Sequence, residues 1–181
     1  MLLTLYFSWN PCASSKLNPN IGGLGHLCLS LLNTWSGKKN ECLRSRSTIL
    51  QVIVSIQGLV LSPDPYGNSH PLGYTKHTET FKIMTRTYNE DAFLDSLRTM
   101  IHVIRRPLKD FVVGHFINRA HDILSACKAY NKGVQVCSLV KSDGWKIDCQ
   151  IHESWPKYFT NALRCPMKEL ANGFARIGAM D

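Results

Sequence analysis

Apolar residues recur every three or four positions along several stretches of this 181-residue chain, a spacing typical of helices with one buried face. The first stretch covers residues 47–61, where Ser47 or Thr48 can serve as the N-cap. Because its β-branched residues lower the intrinsic helix propensity, we expect burial of the apolar stripe to stabilise this helix. The stripe consists of Ile49, Val52, Ile53, Ile56, Leu59 and Val60.

Two longer helices are predicted further along the chain. Asn89 is a suitable N-cap for a helix over residues 90–104, and Pro107 stops it. Another helix is predicted over residues 108–130, with Gly133 behind its end. The apolar face of the first consists of Phe93, Leu94, Leu97, Met100 or Ile101, and Ile104, and that of the second of Phe111, Val112, His115, Phe116, Ile123, Leu124 and Cys127.

The stretches between these helices are short or rich in turn formers. Residues 17–25 contain Asn, Pro and Gly and predict sharp turns. The apolar segment at residues 27–32 is too short for a stable helix, so we expect it to be extended. Residues 33–46 are polar and predict an exposed loop, and residues 66–88 lack periodicity and predict another.

The chain is predicted to divide into an atypical leader at residues 1–16, a main domain at residues 17–132, a linker at residues 133–144 and a helical extension at residues 145–181. In the extension we expect one or two amphipathic helices, broken near Pro166. Their apolar positions are Trp155, Phe159, Leu163, Leu170 and Phe174.

Composition indicates a globular protein without a membrane span. Hydrophobic residues make up 44% and charged residues 19% of the chain, and no apolar run approaches the roughly 20 residues of a membrane helix. The run Leu2–Phe7 is too short for the core of a secretory signal, so we interpret the leader as irregular or extended. The formal charge of +8 is spread over small clusters, which favours a solvated surface, or attraction to an acidic protein, over nucleic-acid binding.

Seven cysteines, an odd number at wide spacing, argue against a disulfide framework. They favour a reducing compartment, the cytoplasm, the nucleus or both. Cys149 and His152 could start a zinc site with Cys137 and Cys165 on either side, but no second close pair of ligands exists. We therefore prefer a structural explanation for these residues and expect no bound metal or cofactor.

One segment combines an asparagine-rich turn, a glycine and a cysteine in an order that resembles a known family. Residues 17–20 (Leu-Asn-Pro-Asn) and 25–35 (Gly-His-Leu-Cys-Leu-Ser-Leu-Leu-Asn-Thr-Trp) are similar to the active-site region of ubiquitin-conjugating enzymes. The helix segment at residues 49–59 resembles the helix that follows the active site there. Within this family, the chain is most similar to the large hybrid conjugating and ligase subgroup, and in particular to its plant phosphate-response branch. The residues that carry this similarity include 88–90 (Tyr-Asn-Glu), 105–107 (Arg-Arg-Pro) and 123–130 (Ile-Leu-Ser-Ala-Cys-Lys-Ala-Tyr).

The resemblance implies an α+β fold, the C-terminal half of a ubiquitin-conjugating domain, mostly helical with a reduced or absent antiparallel sheet. It also implies that Cys28 accepts ubiquitin as a thioester and passes it to lysines of protein substrates. The implied partners are ubiquitin, the ubiquitin-activating enzyme, which uses ATP upstream, substrates and ligases. A thiol suits both steps of such a transfer, because a thiolate attacks well and leaves well.

The resemblance gives roles to three asparagines. Asn20 stands eight residues before Cys28, as the family's asparagine does, and would stabilise the developing oxyanion directly or by ordering the loop. Asn18 stands where most of the family has histidine, at a position that is mainly structural. Asn68 is a candidate for orienting the incoming lysine, and an ordinary turn role is an equal alternative.

Two alternatives to a working conjugating enzyme remain. The family's first helix and most of its leading strands precede the segment at residues 17–20, where this chain has 16 unlike residues. The chain is therefore expected to be N-terminally truncated, and the alternative function is a catalytically impaired fragment that acts only as a protein-binding module. A thiol hydrolase is the rival enzyme class, because His26 and Cys28 would share a face of an extended segment, although no third orienting group is evident.

Overall fold

The computed structural model describes residues 17–22, 26–32, 48–62, 65–69, 78–106, 110–138 and 157–180. Helical residues make up 76% of this set, so the prediction of a mostly helical structure is confirmed for the described residues. Its β structure includes an isolated antiparallel bridge between Ile21 and Leu27. The helical elements of the described part are a 3₁₀ turn (Ser30–Leu32), α1 (Ile49–Ser55), which continues into a π-turn (Ile56–Val60), α2 (Pro65–Ser69), α3 (Glu79–Ile104), α4 (Asp110–Asn131) and α5 (Lys157–Arg176). The prediction that residues 27–32 are extended is therefore wrong at residues 30–32.

The chain divides into two compact units, residues 1–92 and 93–181, and α3 contributes to both. The predicted leader at residues 1–16 and the predicted loop at residues 33–46 lie outside the described residues, as does the end of the linker at residues 139–144. None of the helices in the described part combines the length and hydropathy that a membrane span requires.

Helix α1 begins where the sequence predicts, but its apolar stripe is less buried than expected. Thr48 is the N-cap, and its hydroxyl and the Gln51 side chain form a capping box. Val52 and Val60 are buried, whereas Ile49 is 71%, Ile53 is 55% and Leu59 is 38% exposed, so the predicted stripe is wrong at these three positions. The described neighbours of α1 in its cluster come from a short segment around Leu27 and Leu29, which is too narrow to cover the whole stripe.

Helix α3 begins eleven residues before the expected start, at Glu79 rather than at residue 90. The Thr78 hydroxyl accepts from the Phe81 backbone N–H, so Thr78 occupies the capping position, and Asn89 is buried inside the helix. Residues 66–69 are also helical, as part of α2. The predicted loop is therefore wrong at residues 66–69 and 79–88, and the predicted Asn89 cap is wrong, whereas residues 70–77 lie outside the described part of the chain.

Aromatic contacts and ion pairs explain why the first half of α3 is helical without an apolar stripe. The Tyr66 ring of α2 lies 5.7 Å from that of Phe81 and 5.4 Å from that of Tyr88, measured between ring centroids. Arg86 and the buried Glu90 form an ion pair one turn apart, with 3.2 Å between Nε and Oε1. Burial raises the pKa of Glu90, and the Arg86 hydrogen bond opposes that shift.

The second unit has a continuous apolar core between the end of α3, α4 and α5. The predicted apolar faces agree with the buried faces at most positions. Phe111 and His115 of α4 are exceptions, because both are exposed, Phe111 to 84%. Helical geometry places Phe111 on the side of α4 opposite Phe116 and Leu124. Helix α5 continues through Pro166, so the predicted break is wrong. A proline inside a helix costs roughly 3 kcal/mol, and burial on both sides of it offsets that cost. The buried residues of α5 are Phe159, Leu163, Leu170, Gly173 and Phe174.

Candidate active site

Cys28 lies in a short antiparallel pairing of residues 20–22 with residues 26–28. The Gly22 N–H donates to the His26 carbonyl over 2.8 Å, and Ile21 and Leu27 form the bridge. Leu27 is 2% and Leu29 is 1% exposed, while Cys28 between them is only partly buried. Because successive side chains of an extended segment point to opposite faces, the thiol lies on the face away from the packed leucines.

Two hydrogen bonds join Asn20 to the backbone of Cys28. The Cys28 N–H donates to the Asn20 carbonyl over 2.7 Å, and the Asn20 Nδ2 donates to the Cys28 carbonyl over 2.9 Å. Asn20 is only 6% exposed, so its amide is held in place by the surrounding structure. Asn20 and Cys28, which the sequence predicts to act together, therefore lie close together in the structure. Their hydrogen bonds are those expected if Asn20 orders the loop that carries Cys28.

Asn18 contacts the site more extensively than the sequence suggests. Its Nδ2 donates to the Val60 carbonyl over 2.8 Å, and its Oδ1 accepts from the Asn20 N–H over 2.8 Å. The second bond is an Asx-turn, in which an asparagine side chain binds the backbone two residues on. The Asn-Pro-Asn sequence at residues 18–20 signals this turn, but no local pattern signals the bond to Val60.

Asn68 lies on helix α2 rather than in a loop, and its side chain is outside the described part of the structure. Its suggested role in orienting a lysine stays a prediction. Cys149 and His152 also lie outside the described residues. Within the described ranges, no group of three or more His, Cys, Asp or Glu side chains is placed to hold a metal ion.

The other described cysteines differ from Cys28 in their surroundings. Cys127 is fully buried in the core of the second unit, and desolvation raises the pKa of its thiol to about 11. Cys137 and Cys165 are exposed, and the Cys165 Sγ lies 3.5 Å from a Glu169 oxygen. At Cys28, a buried asparagine amide is bound to the carbonyl of the cysteine itself. Such an arrangement can hold a nucleophilic thiol in a defined position at a partly open surface.

Comparison with known proteins relates the chain to ubiquitin-conjugating enzymes. It is 36% identical over 170 residues to an Arabidopsis thaliana protein that carries the name ubiquitin-conjugating enzyme E2 38, covering 92% of this chain and 52% of the relative. It is 46% identical over 132 residues to another, E2 23, covering 70% of this chain and 12% of the relative. The human dual E2 ubiquitin-conjugating enzyme/E3 ubiquitin-protein ligase BIRC6 is 31% identical over 136 residues, covering 72% of this chain and 3% of BIRC6.

The chain thus spans about half the length of the first of these relatives and a smaller share of the others. No family model matches it. These similarities confirm that the chain is homologous to proteins named as ubiquitin-conjugating enzymes, as the sequence motifs indicated.

Proposed function

We propose that this protein is a ubiquitin-conjugating enzyme that accepts ubiquitin as a thioester on Cys28 and transfers it to lysines of protein substrates. The observation that supports this most directly is the pairing of Asn20 with Cys28, in which the asparagine amide donates to the cysteine carbonyl over 2.9 Å. The proposal extends to a ubiquitin-conjugating fold around this pair. It also extends to the hybrid conjugating and ligase subgroup, since the name of one relative includes both activities.

The first step of the proposed reaction exchanges one thioester for another. The Cys28 thiolate attacks the carbonyl carbon of the ubiquitin C-terminal thioester carried by the activating enzyme, which has used ATP to form it. The new carbon–sulfur bond forms at Cys28, and the cysteine of the activating enzyme leaves as a thiolate. The partly exposed position of Cys28 supports this step, because the incoming thioester must reach the sulfur.

The second step transfers ubiquitin to an amine. A substrate lysine attacks the thioester carbon, the carbon–nitrogen bond of an isopeptide forms, and Cys28 leaves as a thiolate while the amine proton passes to solvent. Negative charge builds on the carbonyl oxygen during the attack. An asparagine amide carries two N–H groups, so Asn20 can keep one on the Cys28 carbonyl and offer the other to this oxygen. Asn68 is proposed to orient the lysine.

A charging experiment tests the proposal. The protein is incubated with ubiquitin-activating enzyme, ATP and ubiquitin, and the products are separated on non-reducing gels with and without added thiol. We expect an adduct that thiol removes and that Cys28→Ala abolishes. Cys28→Ser should instead form an oxygen ester that thiol does not cleave but mild hydroxide does, which identifies residue 28 as the acceptor.

The exposed Cys165 provides the matched control, because it is also accessible to reagents. Cys165→Ala should charge like the unsubstituted protein. A folded protein that forms no adduct, or an adduct that survives Cys28→Ala and disappears with Cys165→Ala, would contradict the proposal. The first of these outcomes would favour a protein-binding role instead.

A further inference from the structure

His26 lies on the same open face of the cysteine segment as Cys28. Exposure alternates along this segment, because Leu27 is 2% and Leu29 is 1% exposed. His26 and Cys28 are only partly buried. Such alternation is the period of an extended segment, whose successive side chains point to opposite faces. The imidazole and the thiol therefore point the same way, one on each side of the buried Leu27.

Backbone hydrogen bonds hold this segment at both residues. The Gly22 N–H donates to the His26 carbonyl over 2.8 Å. The Cys28 N–H donates to the Asn20 carbonyl over 2.7 Å. Gly22 lies opposite His26, since a Cβ added to it would lie 3.7 Å from the His26 Cβ. A glycine thus occupies the cross-strand position of His26 and places no side chain beside the imidazole there.

The spacing of His26 and Cys28 favours one use of the imidazole over another. Cα atoms two residues apart in an extended segment are separated by about 6.6 Å. Side chains of a strand stand roughly perpendicular to it, so the imidazole and the thiol stand side by side with a gap between them. An amine that attacks an acyl group on the thiol from this gap lies within reach of the imidazole, directly or through one water. The gap therefore suits a base for the incoming group better than a base for the thiol.

The described surroundings of Cys28 offer few other groups that could take a proton. Among the described residues of 17–62, His26 and Cys28 have the only ionisable side chains, and the part of α1 and the π-turn that packs against them is uncharged. Helix α2 packs against the π-turn, and its ionisable group is Tyr66, whose hydroxyl donates to the Met84 Sδ over 3.9 Å. Histidine is the side chain that ordinarily exchanges its proton between pH 5 and 8.

We propose that His26 is the catalytic base for lysine discharge from Cys28, a role that rests on the proposed function above. The neutral substrate amine attacks the thioester carbon, the carbon–nitrogen bond forms, and the imidazole takes the proton that the amine loses. The carbon–sulfur bond then breaks, Cys28 leaves as a thiolate, and His26 passes the proton on to solvent. In this step Asn20 donates to the oxyanion, whereas His26 accepts from the amine.

The test compares the unsubstituted protein with His26→Gln, because glutamine is polar but takes up no proton. Single-turnover discharge of a preformed ubiquitin thioester to free lysine is measured across the neutral pH range. We expect both proteins to charge equally. The ratio of their discharge rates should rise from near one at about pH 5 to about 10²-fold or more at about pH 8. Ionisation of the free lysine cancels in this ratio, since it is common to both reactions.

A second variant separates proton transfer from a structural role. In His26→Ala, free imidazole should restore part of the discharge rate, because it can replace the missing base. A structural role would instead lower the rate by the same factor at every pH, without a response to imidazole. It would also speed amide exchange at Gly22 and Cys28, whose N–H groups form the pairing.

His115→Gln is the matched control, because His115 is an exposed histidine of α4 in the second unit. Its rate ratio should stay near one at every pH. A ratio for His26→Gln that does not change with pH, or an alanine variant that imidazole does not rescue, would overturn the proposal alone. Loss of charging in His26→Gln would place His26 in the first step and would overturn it as well. If the unsubstituted protein forms no thioester, both the proposed function and this role of His26 are excluded.

Discussion

Replacing Asn20 with alanine tests how the candidate active site works. The substitution removes the donor that lies 2.9 Å from the Cys28 carbonyl, at a site where Asn20 is 6% exposed. Leaving this partly buried carbonyl without its donor should lower the free energy of unfolding by about 1–3 kcal/mol. If the second N–H of the amide also stabilises the oxyanion, lysine discharge should slow by about 10²–10³-fold, or about 2.7–4 kcal/mol.

The size of the rate loss distinguishes the two roles of Asn20. The assay follows single-turnover discharge of a preformed Cys28 thioester to free lysine, alongside urea unfolding of the same variant. Ordering of the loop alone predicts a measurable loss of stability with a rate loss below about tenfold, whereas oxyanion stabilisation predicts the larger range. Asn20→Asp keeps the shape but cannot donate when ionised, so it should lose at least as much rate as alanine.

Asn89 provides a matched control for this experiment. It is another asparagine of the first unit that is 6% exposed, and its Oδ1 has no hydrogen-bond partner among the described residues. Asn89→Ala should therefore leave the discharge rate within about twofold, since sites without shared partners act nearly independently. An Asn20→Ala variant that stays folded and discharges at the unsubstituted rate would refute both roles of Asn20.

Two further predictions concern stability. Thr48→Ala removes the capping box of α1, in which the Gln51 backbone nitrogen lies 3.3 Å from the Thr48 hydroxyl, and should lower helix stability by about 0.5–2 kcal/mol. The loss should be seen as faster amide exchange in the first turn of α1, whereas Thr48→Ser should leave this exchange unchanged. Equal exchange in all three proteins would exclude the cap. Burial raises the pKa of Cys127 to about 11. Between about pH 9 and 11 the unfolded chain therefore loses a thiol proton that the folded protein keeps, so the free energy of unfolding should fall as the pH rises. Cys127→Ala should lack this part of the slope in urea titrations, and an unchanged slope would contradict the assignment.

Local sequence patterns were sufficient for the helices whose burial follows a regular period. Helix α4 and most of its core positions were predicted, because Phe116, Leu124 and Cys127 recur on one face. The N-cap of α1 was predicted to be Ser47 or Thr48, because capping depends on residues a few positions apart, and Thr48 is the cap that forms. The first half of α3 was missed, because aromatic contacts with Tyr66 and the pair of Arg86 and Glu90 leave no apolar stripe in the sequence.

For the candidate site, the sequence by itself determined which residues could matter: a cysteine, an asparagine eight positions before it, and a turn between them. Only the tertiary structure decided how they act. The Asn18 amide reaches a carbonyl 42 residues away, and the partial burial of Cys28 depends on leucines packing against α1. The Asn18 hydrogen bond and the burial of Cys28 both depend on the distance and the direction between segments that are far apart in the chain. The spacing of residues along a sequence carries no information about that distance or direction.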